Sequence, residues 1–68
     1  MAGVKHMDTF CSMVEEAIQD ELGAVSMYAK MATMVDNDNL RTIIMGIAGD
    51  EYGHARTWMT VLELYCCD

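Results

Sequence analysis

The apolar residues of the chain recur at helical spacing in two long stretches that a short polar run separates. Over about residues 7–35 they fall every three or four positions, as on one side of a helix. The same period returns over about residues 40–65. The chain has no proline, and Ala, Met, Leu and Glu are common, which also favours helix. The pattern therefore predicts an all-α chain of two helices.

The polar run between the stretches is Asp-Asn-Asp-Asn at residues 36–39. Asp and Asn favour turns and helix caps because their side chains bond nearby backbone groups. We therefore expect a tight turn here, with Asp38 or Asn39 capping the second helix, and Asp8 or Thr9 capping the first. Residues 1–6 are expected to be a short lead-in. Residues 1–68 then form one domain, an antiparallel two-helix hairpin.

Three polar residues interrupt the apolar stripes. Glu21 lies among Ala and Ile positions of the first stripe, and Glu51 and His54 lie in the second. Residues three apart on a helix share a face, so Glu51 and His54 can reach one metal ion. Glu21 is about as far before the turn as Glu51 is after it, so the three side chains should meet inside the hairpin. These residues are the predicted metal ligands.

The hairpin is too small to bury its own apolar residues. Of the 68 residues, 53% are hydrophobic and eight are Met, whereas a core of this size rarely stabilises a fold alone. Pairing two hairpins about a two-fold axis would give a four-helix bundle with four Glu and two His around two metals, as in di-iron carboxylate proteins. Such ligands suit iron or manganese, and zinc also fits. We therefore expect a homodimer or a larger even-numbered oligomer.

Charge and cysteine content narrow the remaining classes. The net charge of −7 argues against a nucleic-acid partner. No apolar run is long enough to span a membrane, and the N-terminus lacks the pattern of a signal peptide, so we expect a cytoplasmic protein. In that reducing compartment Cys66 and Cys67 are expected to be free thiols, and Cys11 to pack within its helix.

Tyr28 lies seven residues after Glu21, two turns along the same face. It is either a core aromatic whose hydroxyl finds a partner, or a hydrogen-bonding or redox-active neighbour of the metals. Trp58 and the Met residues are expected to pack rather than to bind metal.

Two motifs resemble the rubrerythrin and ferritin-like superfamily. They are ELGAVSMY at residues 21–28 and DEYGHA at residues 50–55, and the likeness covers roughly residues 17–65. The chain is most similar to the encapsulated ferritins, which are two-helix half-ferritins. The resemblance implies a ferroxidase that oxidises Fe(II) with dioxygen or peroxide at a di-iron centre between two chains. Glu21, Glu51 and His54 would take the iron-ligand places and Tyr28 the place beside them.

The resemblance also implies an encapsulating shell protein as a candidate partner and a protein nanocompartment as the location. This chain departs from that pattern in having no shell-targeting tail before its end at Asp68, and in having Gly23 where the family has an acidic residue on the ion access path. It also lacks the four-cysteine module of complete rubrerythrins. The alternatives are a rubrerythrin-like peroxide-reducing protein, a non-catalytic metal-stabilised oligomer with zinc or manganese, and a plain helical interaction module.

Overall fold

The computed structural model describes residues 7–66, which form two α-helices packed against each other as an antiparallel hairpin. Helix α1 spans Met7–Ala32 and helix α2 spans Asp38–Tyr65. The hairpin measures 49 Å along its long axis and 15 and 14 Å across. The all-helical hairpin predicted from the apolar period is confirmed within these residues. The predicted lead-in over residues 1–6 lies outside them.

Helix α1 ends three residues earlier than the predicted boundary at residue 35. Beyond Ala32 the amides of Thr33 and Met34 donate to the carbonyls of Lys30 and Met31, at 3.1 and 3.0 Å. The Thr33 hydroxyl also donates to the Lys30 carbonyl, at 2.6 Å. These bonds span three residues rather than four, so they tighten the last turn and satisfy carbonyls that the helix leaves without a partner.

The cap of helix α2 is Asn37, so the prediction of Asp38 or Asn39 was wrong by one or two positions. Asn37 has an extended backbone (φ −81°, ψ 117°), and its side-chain oxygen accepts from the Leu40 amide at 2.9 Å. An extended residue whose side chain bonds an amide three positions on is the usual N-cap geometry. Asp38 then lies in the first turn, where its negative charge favours the positive end of the helix.

The predicted cap of the first helix was also wrong. Helix α1 has begun by Met7, so Asp8 and Thr9 lie within its first turn rather than before it. The carboxylate of Asp8 still favours that end of the helix through the helix dipole.

Arg41 holds the turn end of the hairpin together. Its Nε donates to the Ala32 carbonyl at 3.2 Å, and its Nη2 donates to the Val35 carbonyl. Its Nη1 lies 3.1 Å from the Asp38 carboxylate. The guanidinium therefore joins the first turn of α2 to the last carbonyls before the turn, a use of its several fixed donors that lysine could not reproduce.

The core between the helices is thin. Six hydrophobic residues are buried, namely Val14, Ile18, Ala32, Ile44, Ala48 and Ala55. Two helices touch along a single line, and each contributes only three of these residues. Many larger apolar side chains stay exposed, including Met13 at 63% and Ile43 at 60%. Exposed apolar surface of this extent marks an interaction surface in a soluble protein.

On one side of the hairpin, apolar residues at helical spacing lie exposed or half-buried. We call this side the open face, and its members are Phe10, Met13, Ala17 and Met31 of α1 with Ile43, Ile47, His54 and Trp58 of α2. Their spacings of three, four or seven residues, or multiples of these, put each set on one side of its helix. Within residues 7–66, neither helix has an apolar stretch long enough to cross a membrane.

A disulfide joins Cys11 to Cys66 at the end of the hairpin opposite the turn, with the two Cα atoms 5.8 Å apart. The expectation that Cys66 is a free thiol and that Cys11 only packs is therefore wrong. Positions 11 and 66 are 55 residues apart in sequence, but the antiparallel pairing of the helices brings them together. In the chain-entropy account, a crosslink closing such a loop stabilises the fold by about 4 kcal/mol. Cys67 lies outside the described residues.

Replacing Asn37 by alanine should destabilise the hairpin by about 1 kcal/mol, because the Leu40 amide loses its acceptor. The matched control is Asn39→Ala, which changes the same side chain within the first turn of α2, where Asn39 makes no side-chain hydrogen bond among the described residues. Urea unfolding followed by circular dichroism measures both. Equal midpoints for the two variants would show that the Asn37 cap contributes nothing.

Candidate metal centre

The three predicted ligands lie near the middle of the two helices, away from both ends of the hairpin. Glu21 is on α1, and Glu51 and His54 are on α2 one turn apart. One ligand atom from each residue lies within 4.8 Å of the others. The antiparallel packing thus brings together side chains that are 30 or more positions apart in sequence. Among the His, Cys, Asp and Glu side chains of residues 7–66, these three have ligand atoms close enough together to hold one metal ion.

The closest contact in the group joins the two helices. Nδ1 of His54 lies 3.1 Å from Oε2 of Glu21. The Glu21 side chain is largely covered, with 23% exposed, whereas the His54 side chain is 62% exposed. A ring nitrogen that donates to this carboxylate is held in one orientation. The contact therefore positions the imidazole at the edge of the open face.

The distances fit a shared ion. Two ligand atoms that each lie about 2.1 Å from one ion, at about a right angle, are about 3.0 Å apart. The observed 3.1 Å between Nδ1 of His54 and Oε2 of Glu21 matches this spacing. Carboxylate oxygens with imidazole nitrogen suit iron, manganese or zinc rather than a soft monovalent metal. The donor atoms and their spacing are thus compatible with each of the metals expected from the sequence.

The charges of the group are not balanced within one hairpin. Glu21 and Glu51 are both half-buried, and Glu51 makes no side-chain hydrogen bond or ion pair among residues 7–66. Two carboxylates held this close repel each other unless a cation lies between them. Arg41 and Arg56 are exposed, and Arg41 is engaged at the turn. A bound divalent cation would supply the missing positive charge.

The residues near the group differ in burial: Asp20 and Asp50 are exposed, whereas Tyr28 is half-buried. Asp20 and Asp50, which precede Glu21 and Glu51 in sequence, are exposed, as expected for residues that point away. Tyr28 is half-buried, and its hydroxyl makes no hydrogen bond to the three ligands within the described part of the chain. Its predicted place beside the metals stays a prediction.

A hollow on the open face was not anticipated from the sequence. It has a volume of about 220 Å³ and is lined by Phe10, Met13, Val14, Ala17 and Trp58. The lining is almost wholly apolar and comes from both helices. The signal was present, because Phe10, Met13 and Ala17 follow each other at helical spacing and Trp58 is one turn beyond His54. Apolar spacing alone, however, does not distinguish a filled contact from an empty one.

Comparisons with protein-family models, with curated proteins and with solved structures find no match to this chain. The likeness of residues 21–28 and 50–55 to the ferritin-like superfamily therefore remains a resemblance of two motifs. The functional argument rests on the geometry of Glu21, Glu51 and His54.

Removing the charge of Glu51 should weaken metal binding strongly. Glu51→Gln keeps the shape of the side chain but loses the anionic ligand, and we expect the affinity for anaerobic Fe(II) to fall by about a hundredfold, since even residues behind the ligands are worth 10–100-fold. Glu63→Gln is the matched control, because it makes the same change at an exposed position of the same helix. Titration calorimetry measures both. Equal affinities would exclude Glu51 as a ligand.

Proposed function

We propose that two copies of this hairpin pair through their open faces, bind two iron ions at the shared centre and oxidise Fe(II) with dioxygen or peroxide. The observation that supports this most directly is the convergence of Glu21, Glu51 and His54 within 4.8 Å at the middle of the two helices. The proposal includes the cytoplasmic location expected from the sequence. A surrounding protein shell is not required by it.

Charge balance supports two divalent ions per pair of chains. Each hairpin contributes two carboxylates, from Glu21 and Glu51, and one imidazole, from His54. Two copies together bring four negative charges, which two divalent cations neutralise. Without them, four carboxylates enclosed in a bundle would be prohibitively costly to desolvate. One ion with three ligands in a single hairpin would remain open to water on the exposed side of His54.

The shape of the open face supports an antiparallel pairing of the two hairpins. The hollow lined by Phe10, Met13, Ala17 and Trp58 extends from one to three turns from the ligands, toward the disulfide. Ile43 and Ile47 project from the same face at 60% and 43% exposure, two to three turns from the ligands toward the inter-helix turn.

A two-fold axis through the metal centre, perpendicular to the helices, exchanges these two ends. It brings Ile43 and Ile47 of one copy opposite the hollow of the other, because the hollow spans about 5 to 16 Å from the centre and both Ile residues lie within that range on the other side. An axis parallel to the helices would instead set the hollow of one copy against the hollow of the other. Protruding side chains opposite a hollow give the dense packing that stable interfaces need, so the antiparallel arrangement is favoured.

Each ligand has a distinct part in the proposed centre. Glu51 would be shared between the two ions, and Glu21 and His54 of each copy would each hold one ion. The carboxylates hold the metal ions close together and offset their charge. In the metal-free chain Glu21 contacts His54 at 3.1 Å and so holds the imidazole in position before an ion binds. Trp58 and the apolar residues of the open face exclude bulk water from one side.

Iron supplies the redox chemistry, since each Fe(II) gives up one electron on becoming Fe(III). Two Fe(II) together provide two electrons, which dioxygen takes up with two protons to give hydrogen peroxide. If peroxide is the oxidant, the same two electrons and two protons give two water molecules. A carboxylate-rich ligand set suits this change because it stabilises the higher charge of Fe(III).

Iron oxidation is tested by loading the protein anaerobically with two Fe(II) per pair of chains and then adding dioxygen or hydrogen peroxide. We expect a rapid rise of ferric absorbance in the parent protein. In Glu51→Ala and His54→Ala the rate should fall to that of Fe(II) in buffer, because the ions are no longer held. Glu63→Ala is the control and should react like the parent.

Two results would contradict this function. Oxidation at the parental rate in both Glu51→Ala and His54→Ala would mean that iron reacts elsewhere. Tight binding of Zn(II) or Mn(II) together with no accelerated Fe(II) oxidation would instead support a metal-stabilised oligomer without a catalytic role.

Pairing through the open face is tested by Ile43→Asp. A carboxylate opposite the apolar hollow should raise the dissociation constant of the pair at least about tenfold, or about 1.4 kcal/mol. Met45→Asp is the control, because Met45 is similarly exposed, at 47%, but lies on a different side of α2. Sedimentation equilibrium measures both. If Met45→Asp dissociates the pair and Ile43→Asp does not, the open face is not the interface.

A further inference from the structure

The disulfide between Cys11 and Cys66 has no part in the proposed metal chemistry, yet its position is distinctive. It joins the first turns of α1 to the residue that ends α2. Among the described residues, polar contacts join the helices at the turn through Arg41 and in the middle through Glu21 and His54. At the far end, no hydrogen bond or ion pair within residues 7–66 joins the two helices. The disulfide is the link between them there.

Packing at this end is loose on both sides of the disulfide. On one side lies the hollow of the open face, lined by Phe10, Met13, Val14, Ala17 and Trp58. On the other lies an open groove of about 550 Å³, whose lining includes Ser12, Glu15, Met59 and Leu62. Apolar contacts with empty space on both sides resist separation of the helices weakly. A single row of buried residues, Val14, Ile18 and Ala55, joins the helices at this end, and the covalent link fixes how far they can move apart around it.

We propose that Cys11 and Cys66 form a reversible redox site that controls the pairing of two copies. The inference rests on the proposed function, because it takes the open face to be the interface. The disulfide holds Phe10 and Met13 of α1 at a fixed distance from Trp58 of α2, and so keeps the hollow in the shape that receives Ile43 and Ile47 of the second copy. With the bond reduced, the two helices separate at this end and the hollow loses that shape.

The chemistry and the site suit a reversible reaction. Both cysteines are half-buried, so a small thiol can reach the bond. A dithiol reductant transfers two electrons and two protons to the pair, which breaks the sulfur–sulfur bond, leaves two thiols and forms the disulfide of the reductant. Oxidised glutathione reverses this and is released as two reduced molecules. In the cytoplasm, where lasting disulfides are rare, a disulfide of this kind is typically redox-responsive.

Pairing and redox state are then coupled in both directions. If the disulfide strengthens the pair by some factor, pairing must favour the disulfide over the two thiols by the same factor. Metal ions, which complete the centre only when two copies meet, should therefore make the disulfide harder to reduce.

The test uses the full chain loaded with Mn(II), a divalent ion that suits the ligands and does not oxidise the thiols under argon, and with Cys67→Ser, which keeps the third cysteine out of exchange. Sedimentation equilibrium gives the dissociation constant of the pair for the oxidised protein, for the protein reduced with dithiothreitol, and after re-oxidation with oxidised glutathione. We expect reduction to weaken the pair by about tenfold or more, and re-oxidation to restore it. The Cys11→Ser/Cys66→Ser variant should pair weakly with and without dithiothreitol, which controls for effects of the reagent.

The remaining outcomes overturn the inference in separable ways. A pair of equal affinity in both redox states contradicts the redox site alone and leaves the metal function intact. A monomer in both states contradicts the pairing of the open faces as well. If reduction abolishes the helical circular dichroism signal, the bond is a staple for the fold, and control of pairing between folded hairpins is wrong. Metal binding by the reduced and oxidised chains, compared with Glu51→Gln, shows independently whether the proposed centre holds.

Discussion

The geometry of two helices in contact is the constraint on which this structure depends. A pair of helices touches along one line, so only a narrow row of each is buried, and here that row holds six hydrophobic residues. The other apolar side chains of the described residues are half-buried or exposed. The same row brings Glu21, Glu51 and His54 together at mid-length, where they are covered on one side only. The thin core and the partly exposed group of Glu21, Glu51 and His54 thus have a common origin, and in the proposed pairing a second hairpin would cover both.

Three kinds of interaction join the two helices, each at a different position along the hairpin. At the turn, Arg41 binds backbone carbonyls through its guanidinium. At mid-length, a carboxylate meets an imidazole. At the far end, a covalent bond joins Cys11 to Cys66. Apolar packing fills the intervals, and near the disulfide an open groove and a hollow flank the row of buried residues.

Local chemistry explains which features could be predicted from the sequence. The two helices follow from the period of the apolar residues. The meeting of Glu21 with Glu51 and His54 follows from their similar distances to the turn, so residue spacing alone was enough to predict both. The cap at Asn37 was missed because four consecutive Asp and Asn residues offer nearly equal side-chain acceptors, and backbone conformation decides among them. The disulfide was not predicted because the expected reducing compartment disfavours it, and because the pairing of Cys11 with Cys66 depends on the antiparallel register of the two helices. The hollow beside Trp58 depends on side-chain volumes in three dimensions, which spacing does not contain.

The order of the contacts along the hairpin has a kinetic consequence. An antiparallel hairpin closes most readily from its turn, because the loop to be closed is shortest there and grows with each pair that forms. Residues 21 and 54, which are 33 apart, would meet before residues 11 and 66, which are 55 apart. A disulfide between Cys11 and Cys66 therefore forms only after the whole hairpin has closed. In every chain that carries this bond, Glu21 and His54 have already come together.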